Sequence, residues 1–257
     1  MFKQNREFWL YFLGVILLFF FIFGILQNGF SSSSYTFSAF PFNLFQQEQS
    51  IIEKPAQELD TNVDYYAVLR TNKGNITIDL LEANAPNTVA NFIHLANKNY
   101  YYNVQFHRFI PGFLLQGGSS TMKNDDPNDD ALGGPGYTIP HEINWESLDY
   151  DENLKSILKA QGYSSTENIQ SRKMGKFSVC LAANGPDTGG GQFFIVLAEN
   201  NDPRLQNLEG RHTVFGHVIG GFDVVNEINK TPTVIDAMGE SRPSFLILYN
   251  VTIGYYD

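Results

Sequence analysis

The chain has 257 residues and a formal net charge of −10, from 17 Lys and Arg against 27 Asp and Glu. Binding a phosphate backbone needs a positive surface, so nucleic acid is excluded as a partner. A hydrophobic content of 43% against 17% charged residues is that of a globular protein with a full core, and the single cysteine excludes an internal disulfide.

Residues 1–7 are a short tail carrying Lys3 and Arg6. From Phe8 to Leu26 the run FWLYFLGVILLFFFIFGIL has no charge. That is the length of a helix crossing a bilayer, and longer than the roughly 7–15 residues of a signal-peptide core. No Lys or Arg follows until Lys54. The positive-inside tendency therefore leaves the tail in the cytosol and everything after Leu26 on the non-cytosolic side of the membrane. The run reads as an uncleaved single-pass transmembrane anchor, the alternative being a signal peptide cut near Ser31–Ser34. Residues 27–62 are rich in Ser, Gln and Asn, have no sustained period of 2 or 3.6, and read as a linker.

Residues 63–257 read as one domain. YYAVLRTN and NITIDLL alternate on either side of Lys73-Gly74, the pattern of a hairpin. In APNTVANFIHLANKNYY, Val89, Phe92, Ile93 and Ala96 recur at helical spacing behind Pro86. VQFHRFI and FLLQGG are apolar runs flanking Pro111-Gly112. Residues 119–175 have no long apolar run. They hold NDDPNDD, GGPGY and a possible helix over Asp151–Lys159, and read as an acidic excursion from a β-rich core. Strands resume in KFSVCLAAN, where Cys180 reads as a small buried residue with no basic neighbour to activate it. GQFFIVLA and HTVFGHVI follow as strands, then a short helix with Val224, Val225 and Ile228, then the strand SFLILYNVTIGYY. Many strands, two short helices and long connections imply a mainly β protein, a closed or nearly closed antiparallel barrel with helices over its ends.

In a hairpin centred on Gly112, Arg108 and Gln116 are equidistant from the turn and share a face. The Gln116 carbonyl is then placed to orient the guanidinium beside the apolar Phe113 and Leu114. Pattern alone leaves two readings: a charge preorganised beside an apolar pocket, or an ordinary structural arginine.

FHRFIPGFLLQGG, together with LAANGPDTGGGQFFIVL and LEGRHTVFGHV, resembles the cyclophilin family of peptidyl-prolyl isomerases, over about Asp64 to Tyr255. The resemblance implies a closed eight-stranded antiparallel barrel capped by two helices, here preceded by the transmembrane helix. It implies cis/trans isomerisation of X–Pro bonds, with Arg108 catalytic. Phe113, Leu114, Gln116, Ala182, Ala183, Gln192, Phe194, Leu208 and His212 are the implied substrate-binding residues. The family often has Asn where Ala183 stands, in a role that is partly backbone hydrogen bonding. It frequently has Trp where Asn207 stands, which implies weak cyclosporin binding. No bond breaks in the reaction, so no cofactor or metal is expected. His94, His107, His141 and His217 lack ligand spacing, and NDDPNDD lacks the glycine and closing Glu of a calcium loop. Asn75, Asn229 and Asn250 begin N-x-Thr sequons. The expected partners are proline-containing polypeptides outside the cytosol. The alternative function is a tethered proline-peptide-binding chaperone or scaffold with little turnover.

Overall fold

The structure, a computed structural model, describes residues 52–55, 59–123, 132–235 and 241–256. The expected tail, the anchor at 8–26, most of the linker and NDDPNDD at 124–130 lie outside the described residues. Among those described, no helix is long and apolar enough to cross a membrane.

Strand β1 (Tyr65–Thr71) and strand β2 (Gly74–Leu80) form the expected hairpin. Their alternation sends Ala67, Leu69, Ile76, Ile78 and Leu80 into the core. Thr71 closes the turn, its hydroxyl donating to the Gly74 carbonyl and accepting from the Lys73 amide. Helix α1 (Pro86–Asn97) begins at a proline whose missing N–H costs nothing in the first turn. It buries Val89, Phe92, Leu95 and Ala96 against the sheet, and the Phe92 ring lies 5.2–5.7 Å from those of Tyr101, Phe193 and Phe215. Burying an aliphatic or aromatic side chain of this kind stabilises by ~1.5–3 kcal/mol.

Next come β3 (Val104–Gln105), β4 (Arg108–Ile110), β5 (Leu114–Gly117) and helix α2 (Glu152–Ala160). After them follow β6 (Ser178–Leu181), β7 (Phe193–Val196), β8 (Val214–Gly220), helix α3 (Phe222–Ile228), β9 (Thr233–Ile235), β10 (Ser241–Pro243) and β11 (Ile247–Tyr255). Nine strands make one antiparallel sheet in the order β3-β11-β1-β2-β8-β6-β7-β5-β4, and β9 pairs with β10 apart from it.

The closed eight-stranded barrel expected from the sequence is therefore corrected to an open sheet of nine strands. Its edges, β3 and β4, are separated in the chain only by Phe106 and His107. Nine strands at a spacing of ~4.8 Å would span roughly 38 Å if flat, whereas Gln105 and Arg108 cannot be more than about 11 Å apart. The sheet must curl until its edges nearly meet, and the chain itself, not a hydrogen-bonded ladder, joins them. Phe106 fills that corner: a Cβ on Gly117 would lie 2.8 Å from its ring.

The two expected helices are α1 and α3, which contribute Val225 and Ile228 as well as the α1 residues to the main core. A third, α2, lies in the excursion, where Asp151 caps it by accepting from the Leu154 amide at 2.7 Å. The described part of the excursion is packed. Ile143, Trp145, Leu158 and Tyr163 form a small core of its own. Its Glu142, buried, supplies the cap that Ala85 cannot give α1. One carboxylate oxygen accepts from the Asn87 amide and Nδ2, the other from the Thr88 amide and hydroxyl, at 2.7–3.0 Å. A carboxylate there meets both the free amides and the positive end of the helix dipole. At the described end of the expected linker, Ile52 and Leu59 pack on the core and His94 Nε2 donates to the Glu53 carbonyl.

Candidate active site

Strands β5, β6 and β7 are buried on both faces, and alternation sorts them into two cores. Leu115, Val179, Phe193 and Ile195 join the main core. Leu114, Cys180, Phe194 and Val196 face the other way, into a second cluster that Phe113, Ala182 and Leu208 border. Register then builds a row. Arg108 on β4 pairs with Gln116 on β5, Gln116 with Phe194 on β7, and Phe194 with Cys180 on β6. Directly paired residues share a face of the sheet, so a guanidinium, an amide and a phenyl ring stand side by side.

Above this row lies a groove of about 780 Å³. Arg108, Leu114, Gln116, Ala182, Ala183, Gln192, Phe194, Leu208 and His212 all line it. Phe113, expected among them, does not. It sits at the edge of the second cluster, where the Arg204 guanidinium covers its ring at 4.5 Å and also donates to the Gly112 carbonyl. The turn at Pro111–Phe113 aims that side chain along the cluster's flank. Asn207 is exposed at the end of the 3₁₀ turn Pro203–Asn207 and also lies outside the lining.

Amides order the polar side of the groove. Gln116 Nε2 donates to Gln192 Oε1 at 3.0 Å, and Gln192 Nε2 donates to the Gly133 carbonyl at 2.8 Å. With its nitrogen committed, Gln116 has Oε1 to offer a guanidinium N–H. Half-buried His212 places Nδ1 3.1 Å from the Leu181 carbonyl. A carbonyl only accepts, so Nδ1 carries the proton and Nε2 is bare. Its ring meets Phe194 edge-on at 5.2 Å. Burial pushes its pKa down to about 4; the Leu181 contact opposes the shift, and Arg211 and Arg108 reinforce it. His212 is thus neutral at neutral pH, with the Arg108 charge near enough to act on it. Burial pushes the Cys180 thiol far up, as an inert core residue requires.

Sequence reasoning missed the far wall of the groove. Residues 132–138, including the GGPGY motif, line it, as do Asn184, Thr188, Gly190 and Gly191. Of the glycines in GGPGY, Gly133 is the available signal, since it marks a close backbone approach, whereas Gly134 and Gly136 have open space around them. A Cβ on Gly133 would lie 2.4 Å from the Thr121 amide nitrogen. At Gly118, with φ +88°, a Cβ would lie 2.5 Å from the Gly191 carbonyl oxygen. Tyr100 donates to the Gly118 carbonyl and Tyr101 to that of Gly191, at 2.9 and 3.0 Å, from beneath.

Residues 66–247 match the family model described as cyclophilin type peptidyl-prolyl cis-trans isomerase/CLD. A peptidyl-prolyl cis-trans isomerase of Helicobacter pylori is 34% identical over 167 residues, 64% of this chain and 80% of that one. A probable peptidyl-prolyl cis-trans isomerase A of Mycobacterium bovis is 33% identical over 205 residues, 73% of this chain and 91% of its own. Among solved structures, a cyclophilin type peptidyl-prolyl cis-trans isomerase of Cryptosporidium parvum, crystallised in the presence of the dipeptide Ala-Pro, matches with a TM-score of 0.53 and 25% identity. That match covers 74% of this chain and 98% of the other.

Proposed function

The chain belongs to the cyclophilin-type peptidyl-prolyl cis-trans isomerase family, and on that premise we propose that its groove rotates X–Pro bonds with Arg108 as the catalytic group. The observation that carries the assignment is the row Arg108–Gln116–Phe194 along the groove floor. A planar X–Pro amide resists rotation by ~18–20 kcal/mol because the nitrogen lone pair is delocalised into the carbonyl. In the twisted amide the lone pair returns to nitrogen and accepts a hydrogen bond. A guanidinium supplies that bond without risk of deprotonation. Leu114, Phe194 and Leu208 hold the pyrrolidine ring, and the bare Nε2 of neutral His212 is an acceptor for the peptide. Gln116 and Gln192 fix the donor in advance, so it is complementary to the twisted state rather than the planar one. A barrier lowered by ~5 kcal/mol is a gain of several thousandfold. The Ala-Pro dipeptide present with the Cryptosporidium relative supports a proline-peptide ligand.

The charge pattern around residues 8–26 supports a single-pass anchor, with residues 27–62 as linker and 63–257 as a catalytic domain on the non-cytosolic side. Clients are then extracytoplasmic polypeptides whose folding waits on proline isomerisation. Asn207 in place of an indole supports weak cyclosporin binding. The test is exchange NMR on a proline peptide with the full-length chain in mild detergent. Accelerated cis/trans exchange is expected; peptide binding without acceleration would make the protein a tethered scaffold instead.

A further inference from the structure

Helix α1 buries Asn91 along with its apolar residues, at 1% exposure. Asparagine is a poor residue for a helix interior, and an enclosed amide costs stability unless it is hydrogen-bonded. Both of its partners lie in the far wall of the groove. Nδ2 donates to the Gly190 carbonyl at 2.8 Å, and Oδ1 accepts from the Tyr137 hydroxyl at 2.8 Å. Gly190 and Tyr137 line the groove on separate segments of chain, and Asn91 does not line it. The Gly190 carbonyl only accepts, so it fixes which way round the amide sits. Burial pushes the Tyr137 phenol up to about 12, so the hydroxyl stays protonated and keeps donating. One side chain behind the site thus joins both halves of the wall.

The two wall segments meet closely at this point. A Cβ on Gly190 would lie 3.0 Å from Pro135 Cδ and 3.2 Å from the Tyr137 carbonyl oxygen. Two other ties link the same segments: Gln192 Nε2 donates to the Gly133 carbonyl, and the Ile139 amide donates to the Gly189 carbonyl. Losing Asn91 would therefore loosen the wall without detaching it. The floor is held separately, since the register of β4, β5 and β7 sets Arg108, Gln116 and Phe194. At about 780 Å³ the groove has the volume of a site for a drug-sized ligand, several peptide residues rather than one pyrrolidine ring. With the proline on the floor row, the wall is left for the residues beside it.

We propose that Asn91 is a positioning residue for the substrate's flanking residues: by holding Tyr137 and Gly190 in one arrangement, it sets the wall against which the peptide around the X–Pro bond lies. This rests on the isomerase reading of the groove. Losing Asn91 should raise KM for a long peptide, leave its kcat nearly constant, and spare a substrate too short to reach the wall. A merely structural role would change both substrates alike.

The test uses exchange NMR with the full-length chain in mild detergent and its Asn91→Leu variant, comparing a blocked Ala-Pro dipeptide with a peptide of about eight residues centred on Ala-Pro. The expected KM for the long peptide is about threefold to tenfold higher in Asn91→Leu, the worth of roughly one neutral hydrogen bond, with kcat and the dipeptide's kcat/KM within about twofold. Tyr137→Phe removes one of the two bonds and keeps the ring, so the long-peptide KM should rise about twofold to fourfold. Combined with Asn91→Leu it should add nothing, because the hydroxyl acts through the amide. Val89→Ala, in the core on the same helix, should lower stability to urea and leave both substrates within about twofold. An unchanged long-peptide KM, an equal change for the dipeptide, an additive double variant, or the same KM step in Val89→Ala would overturn the proposal. Should Asn91→Leu fail to fold, Tyr137→Phe decides by the same comparison of the two substrates. Should the unmodified chain catalyse no exchange, the isomerase reading fails, and the Kd of the long peptide then decides for Asn91, an unchanged Kd in Asn91→Leu rejecting it.

Discussion

Replacing Gln192 by Leu removes the hinge of the amide relay without changing the size of the side chain much. Two hydrogen bonds go with it, from Gln116 Nε2 at 3.0 Å and to the Gly133 carbonyl at 2.8 Å. Both are part-buried, so each has a net worth of ~0.5–1.5 kcal/mol and together they come to ~2 kcal/mol. Their effect on catalysis arises because the Gln116 amide, once released, no longer presents a fixed Oε1 beside the paired Arg108. Felt fully at the transition state, ~2 kcal/mol is a factor of roughly 30 in kcat/KM. Exchange NMR on a proline peptide measures it, with thermal unfolding alongside to show that the sheet is intact. The expected outcome is a tenfold to thirtyfold loss of kcat/KM with little change in Tm. A kcat/KM within twofold of the unmodified protein would refute the idea that the relay preorganises the guanidinium.

Glu142→Ala strips four hydrogen bonds from the start of α1 and leaves the buried Thr88 amide and hydroxyl without that partner, so urea unfolding should show a loss of about 3 kcal/mol. The His212 pKa of about 4 lies below the ordinary imidazole value, so the folded state resists a proton that the unfolded chain takes up. Its contribution to stability is whole above about pH 6.5 and is lost as pH falls towards 4, and between pH 7 and 4.5 it should amount to ~2–3 kcal/mol. Comparing urea unfolding with a His212→Gln variant isolates this from Asp79 and Glu82. Burial raises the pKa of both carboxyls, which works in the opposite direction as pH falls. Arg204→Ala uncovers the Phe113 ring and frees the Gly112 carbonyl away from the groove, so urea unfolding should show a loss of about 1 kcal/mol while kcat and KM stay within twofold.

The floor of the groove was legible in the sequence because it obeys local rules. A turn at Pro111-Gly112 and a period of two fix the pairing of Arg108 with Gln116, and the observed register agrees. Alternation in QFFIVL likewise puts Phe194 on one face and Ile195 on the other. The wall was not legible. GGPGY has no hydrophobic period, and its position depends on contacts across long stretches of chain, Gln192 to Gly133 and Ile139 to Gly189. The same holds for Glu142, whose role is set by a helix that starts 56 residues earlier, at Pro86. The open edge of the sheet is not legible in the sequence, because pattern identifies strands but not their last hydrogen bonds. Val104–Gln105 and Arg108–Ile110 read as one run, yet they form opposite edges of the sheet with Phe106 buried between them. The resemblance implies Phe113 as a substrate-binding residue, and in the structure its ring borders the second cluster beneath the Arg204 guanidinium.

The most direct test of the central claim, that a fixed guanidinium at position 108 meets the proline nitrogen of a twisted amide, is exchange NMR with Arg108→Ala and Arg108→Lys in the full-length chain. Losing a preorganised donor to the transition state should lower kcat by about a hundredfold to a thousandfold in Arg108→Ala while peptide binding changes little. Arg108→Lys should recover only part of it, because an ammonium keeps the charge but not the planar fork. A kcat for Arg108→Ala within threefold of the unmodified protein would contradict the account.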